Sequence, residues 1–255
     1  MLTHLIEILI FIFGICIGSF MNVCIYRLPA SKSIINPDRS TCPKCGNIIR
    51  SYDNIPVLSY LWLKGKCRHC HSPIAFRYLL VELTGGFFAL CIYFKFGITI
   101  EAFVYYALIS SLLVITFIDI DHQIIPDVIT LPGIPIFFFA SFIFATITYK
   151  DSLLGILAGG GSLLLIAVTY NLFTKKEGMG GGDIKLLAMI GAALGWKGIL
   201  FTIFIGSAIG TLVGIILMLH THRGLKLAIP FGPFLSMGAI IYIFFGSSMI
   251  DWYFN

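Results

Sequence analysis

Two cysteine pairs, Cys42-Pro43-Lys44-Cys45 and Cys67-Arg68-His69-Cys70, stand 21 residues apart. Each pair places two thiols on a tight knuckle, and two knuckles complete a tetrahedral four-thiolate site suited to zinc. The separation slightly exceeds the common range, and a β-hairpin loop would span it. His69 and His71 are secondary ligand candidates. A second chemistry lies in the acids. Asp119, Asp121 and Asp127 cluster in the stretch Phe117 to Asp127, and Asp183 closes the run Gly178-Met179-Gly180-Gly181-Gly182-Asp183. Two carboxyls sharing one proton can activate water and protonate a leaving amine, which is a hydrolase constellation. The plainer reading of the first cluster is a solvated loop with interfacial charges.

Position along the chain sorts these acids. Asp119 and Asp121 end an apolar segment, where a helix dipole disfavours negative charge, so an acid there needs a partner. They are two residues apart and cannot share a helix face. Asp127 follows Pro126 and reads as an N-cap. Asp183 opens a helix behind glycines whose amides can approach a substrate backbone or an anion. The glycine run is no phosphate loop, because it lacks the closing Gly-Lys-Ser/Thr and any βαβ setting.

The elements that carry these groups are membrane helices. Of 255 residues 58% are hydrophobic and 11% charged, and mean hydropathy is +0.96. That excludes a water-soluble globule, whose charged fraction is nearer ~25%. The expected fold is an all-α polytopic membrane protein with about eight transmembrane helices. They fall near 5–25, 79–98, 100–118, 128–148, 152–174, 184–196, 198–219 and 229–248. The domains expected are a first transmembrane helix over 1–26, a zinc-knuckle insert over 27–77, and a seven-helix core over 78–255.

Charge orients the set. Placing the insert and the loops near 119–127, 175–183 and 220–228 on one side collects fourteen Lys and Arg there, against Lys95, Lys150 and Lys197 opposite. By the positive-inside rule that side is cytoplasmic and both termini face outward. Met1–Glu7 lacks Lys and Arg, so the first apolar stretch reads as a retained span rather than a cleaved signal. Cys16, Cys24 and Cys91 fall in apolar segments and read as small buried hydrophobes. Glu7 and Glu82 also fall in or near spans, where a carboxylate is costly and functional by default. Each either holds an amine or pairs with Arg27 or Arg77.

In these residues the chain resembles the type IV prepilin peptidases, bifunctional leader peptidases and N-methyltransferases of pilus, type II secretion and competence systems. Gly18-Ser19-Phe20-Met21-Asn22-Val23-Cys24-Ile25-Tyr26-Arg27-Leu28-Pro29 is similar to the family's N-terminal segment. The two knuckles, with Asp53-Asn54-Ile55-Pro56-Val57-Leu58-Ser59-Tyr60 between them, resemble its zinc region, and Arg77 to Leu83 its RYxxVEL segment. Asp119 ahead of Ile125-Pro126 resembles its first aspartate motif, Gly180-Gly181-Gly182-Asp183 the GxGD motif, and Pro230 to Leu235 its PFGPFL segment.

The resemblance implies a multi-pass enzyme of the inner membrane, with Asp119 and Asp183 as catalytic acids and Cys42, Cys45, Cys67 and Cys70 on a structural zinc. Its substrates would be type IV prepilins or pseudopilins: a short basic leader, cut after glycine at the cytoplasmic face, ahead of an apolar helix held in the bilayer. The freed N-terminal amine would be methylated with S-adenosylmethionine, and Glu7 and Glu82 are tentative residues for that site. No nucleic acid is expected as partner. The alternatives are a GxGD membrane protease without methylation, which the zinc insert opposes, and a transporter or scaffold. A transporter predicts mid-bilayer acids in repeated halves, whereas these acids gather at one face and no repeat is visible.

Overall fold

The computed structural model describes residues 2–35, 40–144, 147–175, 180–221 and 229–254. Arg39, Lys176, Arg223 and Lys226, which entered the charge asymmetry, lie outside these residues. The described chain is helical: α1 (Leu2–Arg27), α2 (Leu58–Trp62), α3 (Phe76–Phe96), α4 (Ile100–His122), α5 (Asp127–Ala140), α6 (Tyr149–Thr174), α7 (Gly181–Thr221) and α8 (Gly232–Phe254). Five helices are long and apolar enough to cross a membrane, and α5 and α8 supply shorter apolar stretches. One of the five counts twice. At 1.5 Å per residue the 41 residues of α7 would run to about 60 Å, twice a bilayer core. The break is Gly195, whose φ of 71° is left-handed and which lies one residue inside the end of the span expected over 184–196. A Cβ on Gly159 would meet both Leu187 and Ile199, so the limbs before and after Gly195 fold back on one another. Eight apolar limbs result. The α5 limb stops at Ala140, short of the expected 148, after two internal prolines, Pro132 and Pro135.

The chain forms two compact units, Met1–Ala102 and Phe103–Asn255. In the first, α1 and α3 lie against each other through small residues. A Cβ on Gly14 would fall 2.6 Å from the Ala89 Cβ, and one on Gly18 2.6 Å from the Glu82 Cα. Gly14 and Gly18 form a GxxxG step, and this close backbone approach is what packs helices in lipid, where apolar burial gives little drive. Gly18→Leu is therefore expected to destabilise this unit by about 1–3 kcal/mol or more. Thermal unfolding in detergent that left the variant unchanged would contradict it. Cys24 is buried on α1, whereas Cys16 is exposed rather than buried as its apolar context implied.

In the second unit the short limb 181–194 is the centre. Leu186, Leu187, Met189, Ile190, Ala192 and Ala193 have no exposed surface. Glycines again allow the contact: Gly155 of α6 lies against the Gly191 backbone, and the Ser152 hydroxyl donates to the Ala192 carbonyl at 2.7 Å. A limb of about 21 Å is too short to face lipid alone, and here Gly133 of α5 lies against Met189 while Gly155 and Gly160 of α6 lie against Gly191 and Ala188. On α4, Leu108, Leu112, Ile115 and Asp119 repeat at the helical period and share the buried face.

Candidate active site and metal centre

Asp119 is 5% exposed at the end of that stripe, whereas Asp121, about 200° further round the helix, is exposed. The acid set against the dipole of α4 has its partner. The backbone N–H of Gly232, at the start of α8, donates to Asp119 Oδ2 at 3.0 Å. The positive end of one helix thus offsets the negative end of another. Only glycine at position 232 leaves Asp119 where it is, because a Cβ there would sit 2.7 Å from the same oxygen. In the sequence Gly232 stands within the Pro230 to Leu235 segment with no role of its own. Its signal, a glycine between an aromatic and a proline at a helix start, marks close approach only once the facing acid is known.

Asp183 opens α7 and is half-buried, and its carboxylate and that of Asp119 lie within each other's electrostatic field. Ile125 joins the two sides. A Cβ on Gly182 would be 2.8 Å from the Ile125 Cβ, and one on Gly232 3.4 Å from its Cδ1. The motif glycines therefore differ in purpose. Gly182 is required by packing, while a Cβ on Gly181 would meet nothing within 4 Å and one on Gly180 only Asp183, at 3.9 Å. Among the described residues this side of the carboxylate is open. Asp127 is not the N-cap expected of it. Pro126 holds that position with no side-chain cap, and Asp127 is the first helical residue, its two oxygens each 2.8 Å from Lys185 Nζ. Both partners are part exposed, so the pair contributes about 0–1 kcal/mol.

In the first unit the four cysteine sulfurs of the two knuckles lie within 4.8 Å of one another. The Cys42 and Cys70 sulfurs are 3.9 Å apart, far beyond a disulfide and close to the ~3.8 Å tetrahedral edge that Zn–S bonds of about 2.3 Å imply. The knuckles share one design. Cys42 N–H donates to Asn47 O and Gly46 N–H to Cys42 O; Cys67 N–H donates to Ser72 O and His71 N–H to Cys67 O. Gly46 and His71 occupy the same left-handed turn position. The Cys45 and Lys44 amides pull the Cys42 thiol down to about 6, as a thiolate ligand requires. Cys45 receives the Asn47 amide but is pushed up to about 11 by burial and the neighbouring sulfurs, since four thiolates cannot gather without a cation. Among the described residues no histidine joins the cluster, so His69 and His71 are not part of it. The segment between the knuckles is not a hairpin: it holds a 3₁₀ turn, Ser51–Asn54, and α2. Asp53 in that turn accepts Arg68 Nε at 2.8 and 3.0 Å, pinning one knuckle to the segment, and the guanidinium holds its carboxyl below the usual range.

Glu7 and Glu82 do not converge. Glu7 pairs with His4 at 3.1 Å near the start of α1, about 16 Å along that helix from Gly18, which touches Glu82. Glu82 is buried and pairs with neither Arg27 nor Arg77. It accepts the Val57 N–H at 2.7 Å and the Ser19 hydroxyl.

Comparison with known proteins covers both units. The family model described as "Bacterial Peptidase A24 N-terminal domain" matches residues 12–96, and that described as "Type IV leader peptidase family" matches residues 106–215. A protein of Aeromonas hydrophila named "Prepilin leader peptidase/N-methyltransferase" is 36% identical, over 96% of this chain and 92% of its own length. Proteins of the same name from Pseudomonas putida (34%; 93% of this chain, 90% of its own length) and Pseudomonas aeruginosa (35%; 94% and 90%) are similar to it as well. No solved structure matches the chain.

Proposed function

Because this chain belongs to the type IV leader peptidase family, we propose that it removes the basic leader of type IV prepilins or pseudopilins and methylates the amine so released. It works as a multi-pass protein of the inner membrane, cutting after glycine at the cytoplasmic face, with S-adenosylmethionine as methyl donor. What supports the peptidase half is the approach of Asp119 and Asp183, 64 residues apart in sequence, on either side of Ile125 and beside the open flank of Gly180 and Gly181. With one proton between them, the ionised carboxyl takes a proton from water as it attacks the scissile carbonyl. The protonated carboxyl gives its proton to the departing amine. Gly232 N–H holds Asp119 in place throughout. The four thiols fit a zinc ion, which would fold the insert and take no part in peptide cleavage.

A leader peptidase that does not methylate is the second reading, and the matched N-terminal domain with its thiol cluster weighs against it. Purified protein incubated with a prepilin, with and without S-adenosylmethionine, tests both halves. A shortened pilin should form in either case, and its N-terminal residue should gain a methyl group only with the donor. Gly232→Ala should cut leader removal by about 10²-fold while the protein stays folded, because the added methyl displaces Asp119. Unchanged cleavage would show that α8 does not set the position of that carboxylate.

A further inference from the structure

A cavity of about 630 Å³ lies wholly within the first unit, between α1, the insert and the start of α3. That volume falls in the ~300–1,000 Å³ range of small-molecule sites. The insert wall is largely apolar, with Ile48, Ile55, Leu63 and Ile74 among Ser40, Asn47 and Tyr60. Arg27, Lys32, Lys44 and Arg68 also line the cavity, and Tyr26 and Tyr78 come from the helix ends. Two carboxylates line it. Asp53 is already satisfied by Arg68, but among the described residues Glu82 has no cationic partner. Its position is costly, on a membrane helix six residues in from the start and 9% exposed.

The fold spends backbone strain on keeping Glu82 there. Val57 has φ 64° and ψ −53°, a region that a β-branched residue rarely enters. It is the central residue of a γ-turn, with Leu58 N–H donating to Pro56 O at 2.7 Å. That turn aims the Val57 N–H at Glu82 Oε2. Strain of this kind costs about 1–3 kcal/mol and is kept where a site needs it. The Val57 amide and the Ser19 hydroxyl hold the carboxylate, which lines the cavity and has no cationic partner among the described residues.

We propose that this cavity is the methyl-transfer chamber and that Glu82 binds the free α-amine of the cleaved pilin and accepts its proton. The inference rests on the bifunctional reading above. Depth favours the amine over the donor as the Glu82 ligand: the new N-terminus heads an apolar helix, so its charge must be met at membrane level, where Glu82 sits. Ser40, Asn47, Tyr60 and the basic Lys32 and Lys44 remain for the donor's nucleoside and amino-acid parts. The ammonium first gives a proton to a Glu82 oxygen. The nitrogen lone pair then forms the N–CH₃ bond as the C–S bond of the donor sulfonium breaks, its electron pair leaving with the now neutral sulfur. Before cleavage the same nitrogen is an amide without charge, so Glu82 has nothing to bind. It acts only on the product.

The test uses the full chain in detergent with three readouts: prepilin cleavage, methyl transfer from labelled S-adenosylmethionine to pilin cleaved beforehand, and calorimetric binding of S-adenosylmethionine alone. Glu82→Gln should lower methyl transfer at least about 100-fold, with donor affinity within about threefold of the parent. Ser19→Ala, which removes one support of the carboxylate without changing the helix, should lower methyl transfer about tenfold. Retained cleavage together with retained bound zinc reports that each variant is folded, insert included. Methyl transfer at the parental level in either folded variant overturns the proposal, as does loss of donor binding in Glu82→Gln. A parent protein that binds no donor and methylates no cleaved pilin would instead overturn the bifunctional reading itself.

Discussion

Asp119→Asn and Asp183→Asn are each expected to reduce leader removal by about 10³-fold or more, because an amide keeps the shape of the side chain and loses the proton chemistry. Asp121→Asn and Asp127→Asn should change cleavage little: the first carboxylate is exposed on the far side of α4, and the second is tied to Lys185. In cells the two catalytic variants should also yield unmethylated pilin, since the amine is never released. Supplying pilin already cleaved, with S-adenosylmethionine, removes that dependence and should restore methylation to near the parental rate. Asp119→Asn protein that cleaves prepilin normally would show that the pair described here is not the peptidase centre. Failure of both variants to methylate cleaved pilin would show that the two chemistries share one site.

The second large effect concerns the metal. Replacing Cys42 with serine should take bound zinc from about one per chain to near none, because a structural site needs all four ligands. The insert should then become sensitive to limited proteolysis. Structural zinc contributes on the order of 10 kcal/mol to small domains of this kind, and the insert has little buried apolar surface of its own. Within it the described residues show Cys42 as the only buried apolar side chain. Some leader removal should survive, because Asp119 and Asp183 lie outside the insert in the chain. A metal analysis that found no zinc in freshly purified protein never exposed to chelator would refute the assignment.

What could be read from the chain follows from interactions that are local or compositional. Hydropathy located the apolar segments, because transfer into lipid is additive along a helix, and it divides α7 into two spans within two residues of the break at Gly195. The two knuckles were legible because a CxxC turn is made by neighbouring residues, and each one repeats the same backbone bonds. The link between them was misjudged as a hairpin. Zinc spacing constrains only its ends, and the short α2 is as good a spacer as a strand pair.

The rest depended on tertiary contact. In a span that is apolar on every face, hydropathy has no period, so nothing in α4 alone distinguishes the buried face that carries Asp119 from the exposed one that carries Asp121. Packing of Leu108, Leu112 and Ile115 decides it. The answer to an acid at a helix C-terminus came from Gly232, 113 residues away, whose lack of a side chain acquires meaning only beside the Asp119 oxygen. The two membrane glutamates looked equivalent in sequence. Their separation by about 16 Å, one paired with His4 and the other held by a strained turn of the insert, follows from the antiparallel contact of α1 and α3. Sequence therefore determined which residue types this protein has available and the helices that carry them. Only the fold decided which ones meet, because a carboxylate's chemistry is set by the groups packed around it, and those come from distant parts of the chain.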